Sequence, residues 1–325
     1  DNTVGARLSA VLGRDAHRTA AFCEQASDTV GALVTPISDL TQALASAPDM
    51  AILITPPNAR WDYAVALTQA GIPSLMEKPI ERTLSAARAL VDVYTLANVP
   101  RGICFQHLAR EAAQTLKTRL DAGELGKIVH VDIRVPGWRD QAYYDAPGRG
   151  TYDRDGGGVM INQAIHTLDL ALWLAGPVAQ VQAQMQTSPL HNMQAEDIAS
   201  ALFTFRSGAS GVLDASTAAY PGGAEHIALT TTRAQVLLQG DTLNIDWHDG
   251  TQDRIAPVTQ TGTGGGADPM AFSHGWHQTM IEDFVKVTQS GTPPLAPPDD
   301  ALHVHAVIYA MEQAARSGTR TDVVL

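Results

Sequence analysis

The sequence predicts an α/β domain built on a parallel sheet over residues 1–108, then an α+β domain with a large, mainly antiparallel open sheet over residues 109–325. Three observations carry this. Up to about residue 107, short apolar runs alternate with Ala- and Leu-rich segments of helical spacing, the mark of βα units around a parallel sheet. Over 178–248 the pattern changes to long alternating strands broken by short turns, as in "ALFTFRSGASGVLDAST". At 325 residues the chain exceeds one ordinary domain, and chains of this size bury roughly 75% of their unfolded surface.

Taken in order, strands are expected at Arg7 to Leu12, Ala32 to Val34, Ala51 to Ile54, Ser74 to Met76 and Gly102 to Phe105, with helices over 16–25, 38–46, 58–70 and 83–97 between them. A bridging helix over 110–122 ends in "DAGELG", where Gly126 suits a cap before the strand "KIVHVDIRV". Ser207-Gly208 and Gly240-Asp241 read as hairpin turns. The stretch "TQTGTGGGADP" reads as a linker, because it lacks the lysine and the strand-to-helix setting of a phosphate loop.

With 22 Lys and Arg against 34 Asp and Glu the formal charge is −12, which repels nucleic acid backbones and anionic bilayers. No run of about 18 apolar residues suggests a membrane span. Cys23 and Cys104 show no Cys-x-x-Cys spacing, so neither a disulfide framework nor a zinc site is expected, and a reducing cytoplasm fits best.

Four stretches could carry chemistry. In "AILITPPNAR" an apolar strand ends at Thr55 and two prolines fix the turn; ligands of open α/β sheets bind just beyond such carboxyl ends. Glu77-Lys78-Pro79 ends the next strand, at the same edge. A lysine there is either a solvated cap or a donor to a substrate oxygen, with a pKa lowered if desolvated, and Pro79 permits a cis peptide. In "DGGGVMINQAIHTLDLALWLAG" three glycines precede a helix on which Asn162 and His166 stand four apart, on one face. His166 is either a core histidine or an acid/base group, and Asp169 either braces that face or caps a contact. In "FSHGWHQTMIEDF", His274 and His277 are three apart, but no third ligand is local, so no metal is expected.

The order and spacing of these stretches resemble the glucose–fructose oxidoreductase, inositol dehydrogenase and MocA (Gfo/Idh/MocA) family. The likeness extends to "AEDIASALFTFRSGASGVLDAS" and "SGTPPLAPPDDALHVHAVIYAMEQAARSG" and covers essentially the whole chain. The resemblance implies a Rossmann-type first domain and an oxidoreductase passing hydride between a nicotinamide cofactor and a carbinol carbon of a sugar, sugar derivative or polyol. Lys78 looks like the catalytic lysine, Glu77 its cofactor-side partner and His166 the acid/base histidine. Asn162 stands where many members have Asp; it accepts no proton, so it should orient substrate or His166. Thr55, Pro56, Asn58 and Gln106 are expected beside the cofactor, and His107 near the nicotinamide. Trp138, Arg139, Tyr144 and Arg149 should line the substrate pocket with His277. A homodimer or homotetramer through the second-domain sheet is implied.

Two departures accompany the likeness. The family opens with a strand and a Gly-x-Gly-x-x-Gly turn that are absent here, so residues 7–12 look like the second strand, and roughly 25–30 residues, one βα unit, are expected ahead of Asp1. Where NAD users often place an acid at the end of that strand, this chain has Gly13 and Arg14, which leaves room and charge for a 2′-phosphate and favours NADP over NAD. The competing class is a catalytically silent sugar- or nucleotide-binding protein of the same fold.

Overall fold

The computed structural model describes residues 3–256 and 274–325. The expected linker "TQTGTGGGADP" lies outside the described residues.

The first part of the chain runs β1 (Ala10–Leu12), α1 (Ala16–Val30), β2 (Thr35–Ile37), α2 (Leu40–Ala45), β3 (Ala51–Leu53), α3 (Trp61–Gln69), β4 (Ser74–Glu77), α4 (Leu84–Ala97) and β5 (Arg101–Cys104). Two of these positions correct the sequence reading. The helix placed at 16–25 continues to Val30, because the Ser27 and Thr29 hydroxyls bond back to the Cys23 and Gln25 carbonyls inside the helix and the stop comes only at Gly31, φ +66°. The strand placed at Ala32 to Val34 is thereby displaced to Thr35–Ile37. Asp15 caps α1 by accepting from the Arg18 amide at 3.0 Å, and Thr83 caps α4 by accepting from the Ala86 amide at 3.2 Å.

All pairings here are parallel, but they form two sheets, β1 with β2 and β3–β4–β5, with no ladder between β1 and β3 among the described residues. Ile52 of β3 and Ile54 just beyond it are 45% and 75% exposed. A central strand between the two sheets, which the family pattern calls for, is not among the described elements.

The second part runs α5 (Glu111–Asp121), β6 (Ile128–Pro136), α6 (Gln141–Asp145), α7 (Ile165–Ala175), β7 (Val178–Gln186), β8 (Ile198–Phe205), β9 (Ser210–Ser216), β10 (His226–Thr231), β11 (Ala234–Gln239), β12 (Thr242–Trp247), β13 (Gln252–Ile255), α8 (His274–Ser290), α9 (Pro298–Ser317) and β14 (Thr321–Asp322). Nine of its strands form one sheet in the order β13-β12-β11-β10-β6-β9-β8-β7-β14, antiparallel except for the β6–β9 pair. Period-2 burial gives the sheet one apolar face: Val131, Ile133, Leu213, Ala215, Ile227, Leu229, Val236 and Ile245 are buried beneath α5, α7 and α9. The opposite face carries Val129 and Leu202, 49% and 58% exposed, among charged residues such as Asp132 and Arg134. The last helices return to the first part, where Phe284 of α8 packs on Leu75 of β4, and α9 packs on α4 and β5.

Candidate active site

The carboxyl ends of β3, β4 and β5 face one way because the strands are parallel, so Thr55, Glu77-Lys78 and Gln106 reach a common edge. A fully buried arginine that the sequence reading overlooked fixes this edge. Arg60 donates from Nη2 to the Thr55 carbonyl at 2.7 Å and from Nη1 to the carbonyls of Glu77, Pro79 and Ile80. Burial draws its pKa down to about 10, so it remains a cation at neutral pH. The Lys78–Pro79 peptide is cis, and the Ile80 amide donates to His305 Nε2 at 3.2 Å. Pro56 and Asn58 are exposed beside Thr55.

The second half of the site comes from the glycine-led helix. Between the turn and α7 the chain makes a π-turn, Met160–Ala164, so Asn162 does not stand on regular α-helix as the spacing suggested. Its Nδ2 donates to the Gly157 and Gly158 carbonyls, each at 3.0 Å, and its own carbonyl accepts from Lys78 Nζ at 2.7 Å. Asn162 therefore engages Lys78 through its backbone, while its side chain braces the turn. His166 is 8% exposed, its ring lies 4.8 Å from that of His107, and Phe105 meets it edge-on at 5.9 Å. Burial, then the charge of Lys78, holds the His166 pKa well below the ordinary imidazole range, and burial likewise lowers that of Lys78.

Around this pair stand Arg149, whose charge also lowers the Lys78 pKa, and His277, whose Nε2 lies 3.7 Å from Glu77 Oε1. The pairing of His274 with His277 forms no ligand group among the described residues; instead one ligand atom each of Glu77, Cys104 and His277 lies within 4.8 Å of the others. Burial raises the Cys104 pKa far above the usual thiol range, and the thiol bonds to Glu77. The expected substrate loop is tied down rather than loose. Tyr144 is buried and its hydroxyl meets Thr217 Oγ1 at 2.6 Å, while Trp138 packs against Tyr220 and His191. The Arg139 carbonyl lies 2.9 Å from His191 Nε2, and His191 Nδ1 lies 2.7 Å from the buried Asp197 carboxylate. His191, Glu196 and Asp197 were also missed; two adjacent acids ahead of an apolar strand, "AEDIASALF", were the available signal.

The residues present fit the nicotinamide end of a dinucleotide. Gln106 Oε1, His107 Nδ1 and His166 Nδ1 are buried with no hydrogen-bond partner among the described residues, as suits groups that meet a polar ligand. At the other end, Gly13 follows β1 in a position where a Cβ would come within 2.2 Å of Thr19 Oγ1, so an acid there would require Thr19 to move. Arg14 is exposed and Asp15 is engaged as the α1 cap. No Gly-x-Gly-x-x-Gly turn occurs in the sequence.

A parallel, Rossmann-like sheet followed by a large, mainly antiparallel sheet, with a lysine and a histidine where the two parts meet, defines the architecture of the chain. Residues 1–100 match the family model described as an oxidoreductase family with NAD-binding Rossmann fold, and residues 113–237 match the GFO/IDH/MocA C-terminal domain. The chain belongs to the GFO/IDH/MocA family. It is similar to D-apiose dehydrogenase of Rhizobium rhizogenes, 27% identical over 45% of this chain and 41% of that protein, and to myo-inositol 2-dehydrogenase of Thermotoga maritima, 22% identical over 82% and 77%. The chain spans under half the length of the first curated relatives it matches. Among solved structures, the WlbA dehydrogenase of Bordetella pertussis, in complex with NADH and UDP-GlcNAcA, is 25% identical with TM-score 0.77, covering 98% of this chain and 91% of that one.

Proposed function

We propose that this chain belongs to an oxidoreductase that passes hydride between a nicotinamide dinucleotide and a carbinol carbon of a sugar, sugar derivative or polyol. The observation that carries the reading is the meeting of Lys78, at the end of a parallel strand, with the glycine-led helix of His166. The names of the relatives, sugar and inositol dehydrogenases, support this substrate class. When bound, the nicotinamide supplies the hydride acceptor or donor. His166, neutral through its depressed pKa, accepts the carbinol proton, with Nδ1 available to it. Lys78 Nζ keeps donors beyond its bond to Asn162, and its charge stabilises the alkoxide that forms as the proton leaves. Glu77 and Gln106 would hold the cofactor, and Arg149 and His277 would contact the substrate.

Arg14, exposed beside Gly13, favours NADP over NAD. The proposal keeps the division at residues 108 and 109, with a cytoplasmic setting and assembly through the sheet face on which Val129 and Leu202 are exposed. The test is an absorbance screen of sugars and polyols against NAD and NADP with the complete protein. Reduction of NADP in preference to NAD by at least one polyhydroxylated substrate is expected. A clear NAD preference ends the NADP reading, and cofactor binding without turnover across the screen favours a silent binding protein.

A further inference from the structure

Glu196, just ahead of β8, is 6% exposed, and the charged group that bears on it is another carboxylate, Glu312. Glu196 nevertheless collects three consecutive amides of another segment. Its Oε2 accepts from Gly158 N at 3.1 Å, its backbone carbonyl from Val159 N at 2.8 Å, and its Oε1 from Met160 N at 3.0 Å. These are the leading N–H groups of the π-turn and α7, which the helix itself cannot satisfy and which carry its positive end. The approach is close enough to dictate sequence, since a Cβ on Gly158 would fall 1.7 Å from the Glu196 carbonyl oxygen.

We propose that Glu196 is a positioning residue that caps the catalytic helix from outside it and so sets the register of Asn162 and His166 against Lys78. The proposal rests on the reading of Lys78 and His166 as the reacting pair. Two residues beyond Met160, the Asn162 carbonyl receives Lys78 Nζ, so a shift of the capped turn moves the amine's anchor and the imidazole together. A misplacement of about 1 Å at such a site can cost roughly 100-fold in rate.

The cap is also sensitive to protons. Burial raises the Glu196 pKa to about 7, opposed by its backbone hydrogen bonds and reinforced by Glu312 of α9. Glu312 itself lies 3.4 Å from Arg316, and the Tyr152 phenol, in the loop ahead of the glycines, feels both carboxylates. A protonated Glu196 turns an O–H toward one of the two amides and loses that bond. Turnover should therefore fall as pH drops through about 7, above the limb that belongs to His166, whose own pKa is depressed well below its ordinary range.

The experiment compares the complete protein with Glu196→Gln and Glu312→Gln. In Glu196→Gln, kcat is expected to fall roughly 10- to 100-fold with little change in KM, the acid limb near neutrality to vanish, and the amides of residues 158–160 to exchange with deuterium faster. Glu312→Gln, which keeps the cap and removes a neighbouring charge, should move that limb to lower pH. Wild-type exchange at 158–160 together with a wild-type acid limb in Glu196→Gln overturns the proposal. Exchange needs no substrate, so it judges the cap even if Lys78→Ala keeps full turnover, an outcome that would instead sink the reading of the reacting pair.

Discussion

At the scale of single residues, burial decides the protonation states on which the site depends. Lys78, His107 and His166 are all desolvated, so each loses affinity for its proton, and the two imidazoles stay neutral where an exposed histidine would begin to charge. His305 belongs to the same set without touching the reacting groups: buried at 3% exposure, it accepts the Ile80 amide and its pKa falls from 6.5 to about 4. A folded pKa below the unfolded value means stability that is fully present above pH 6.5 and lost as pH falls through about 4. The interval corresponds to about 3 kcal/mol. His305→Gln, which keeps an acceptor for Ile80 but cannot titrate, should lose about 3 kcal/mol less than wild type between pH 7 and pH 4, as read by urea unfolding. Equal losses in the two proteins would contradict the assignment.

At the scale of elements, the site is a joint between strand ends and one helix, and Arg60 is the piece that locks the strand side. It lies at the start of α3 and gathers carbonyls from the ends of β3 and β4 and from the Pro79-Ile80 loop. Arg60→Met removes the donors and leaves several buried carbonyls unsatisfied, which should cost about 3 kcal/mol or more in unfolding free energy and reduce turnover. Retention of wild-type stability would show those carbonyls to be satisfied otherwise. This joint also marks what could be read from sequence. The places of Thr55 and Lys78 at strand ends and of His166 on a glycine-led helix were legible in local pattern, the roles proposed for them came only with the family resemblance, and the strands of the second sheet followed from period-2 alternation. Arg60, Glu196 and Asp197 were not, since a buried ion is recognised by partners far along the chain: Glu196 bonds amides 36 and 38 residues away. The π-turn at Met160–Ala164 and the extra turn of α1 escaped for a different reason, that periodicity fixes the existence of a helix better than its hydrogen-bond register or its end.

At the scale of the molecule, α8 and α9 fold back from the second sheet onto β4, β5 and α4, so the two halves share a core and the mouth of the site is formed by both. That is why an amine from the first half and an imidazole from the second can be held together: Lys78 is anchored on the Asn162 carbonyl, and its charge reaches His166. The parallel strands of the first part are split between the β1–β2 and β3–β4–β5 sheets, and Gln106 and His107, proposed for the nicotinamide end, follow β5 of the second of these. The central claim is that these two side chains act on one carbinol, and the most direct measurement is the turnover of Lys78→Ala and His166→Ala in the complete protein at saturating cofactor. Each should lose about 100-fold or more while still binding the cofactor; wild-type turnover in either variant would contradict the account.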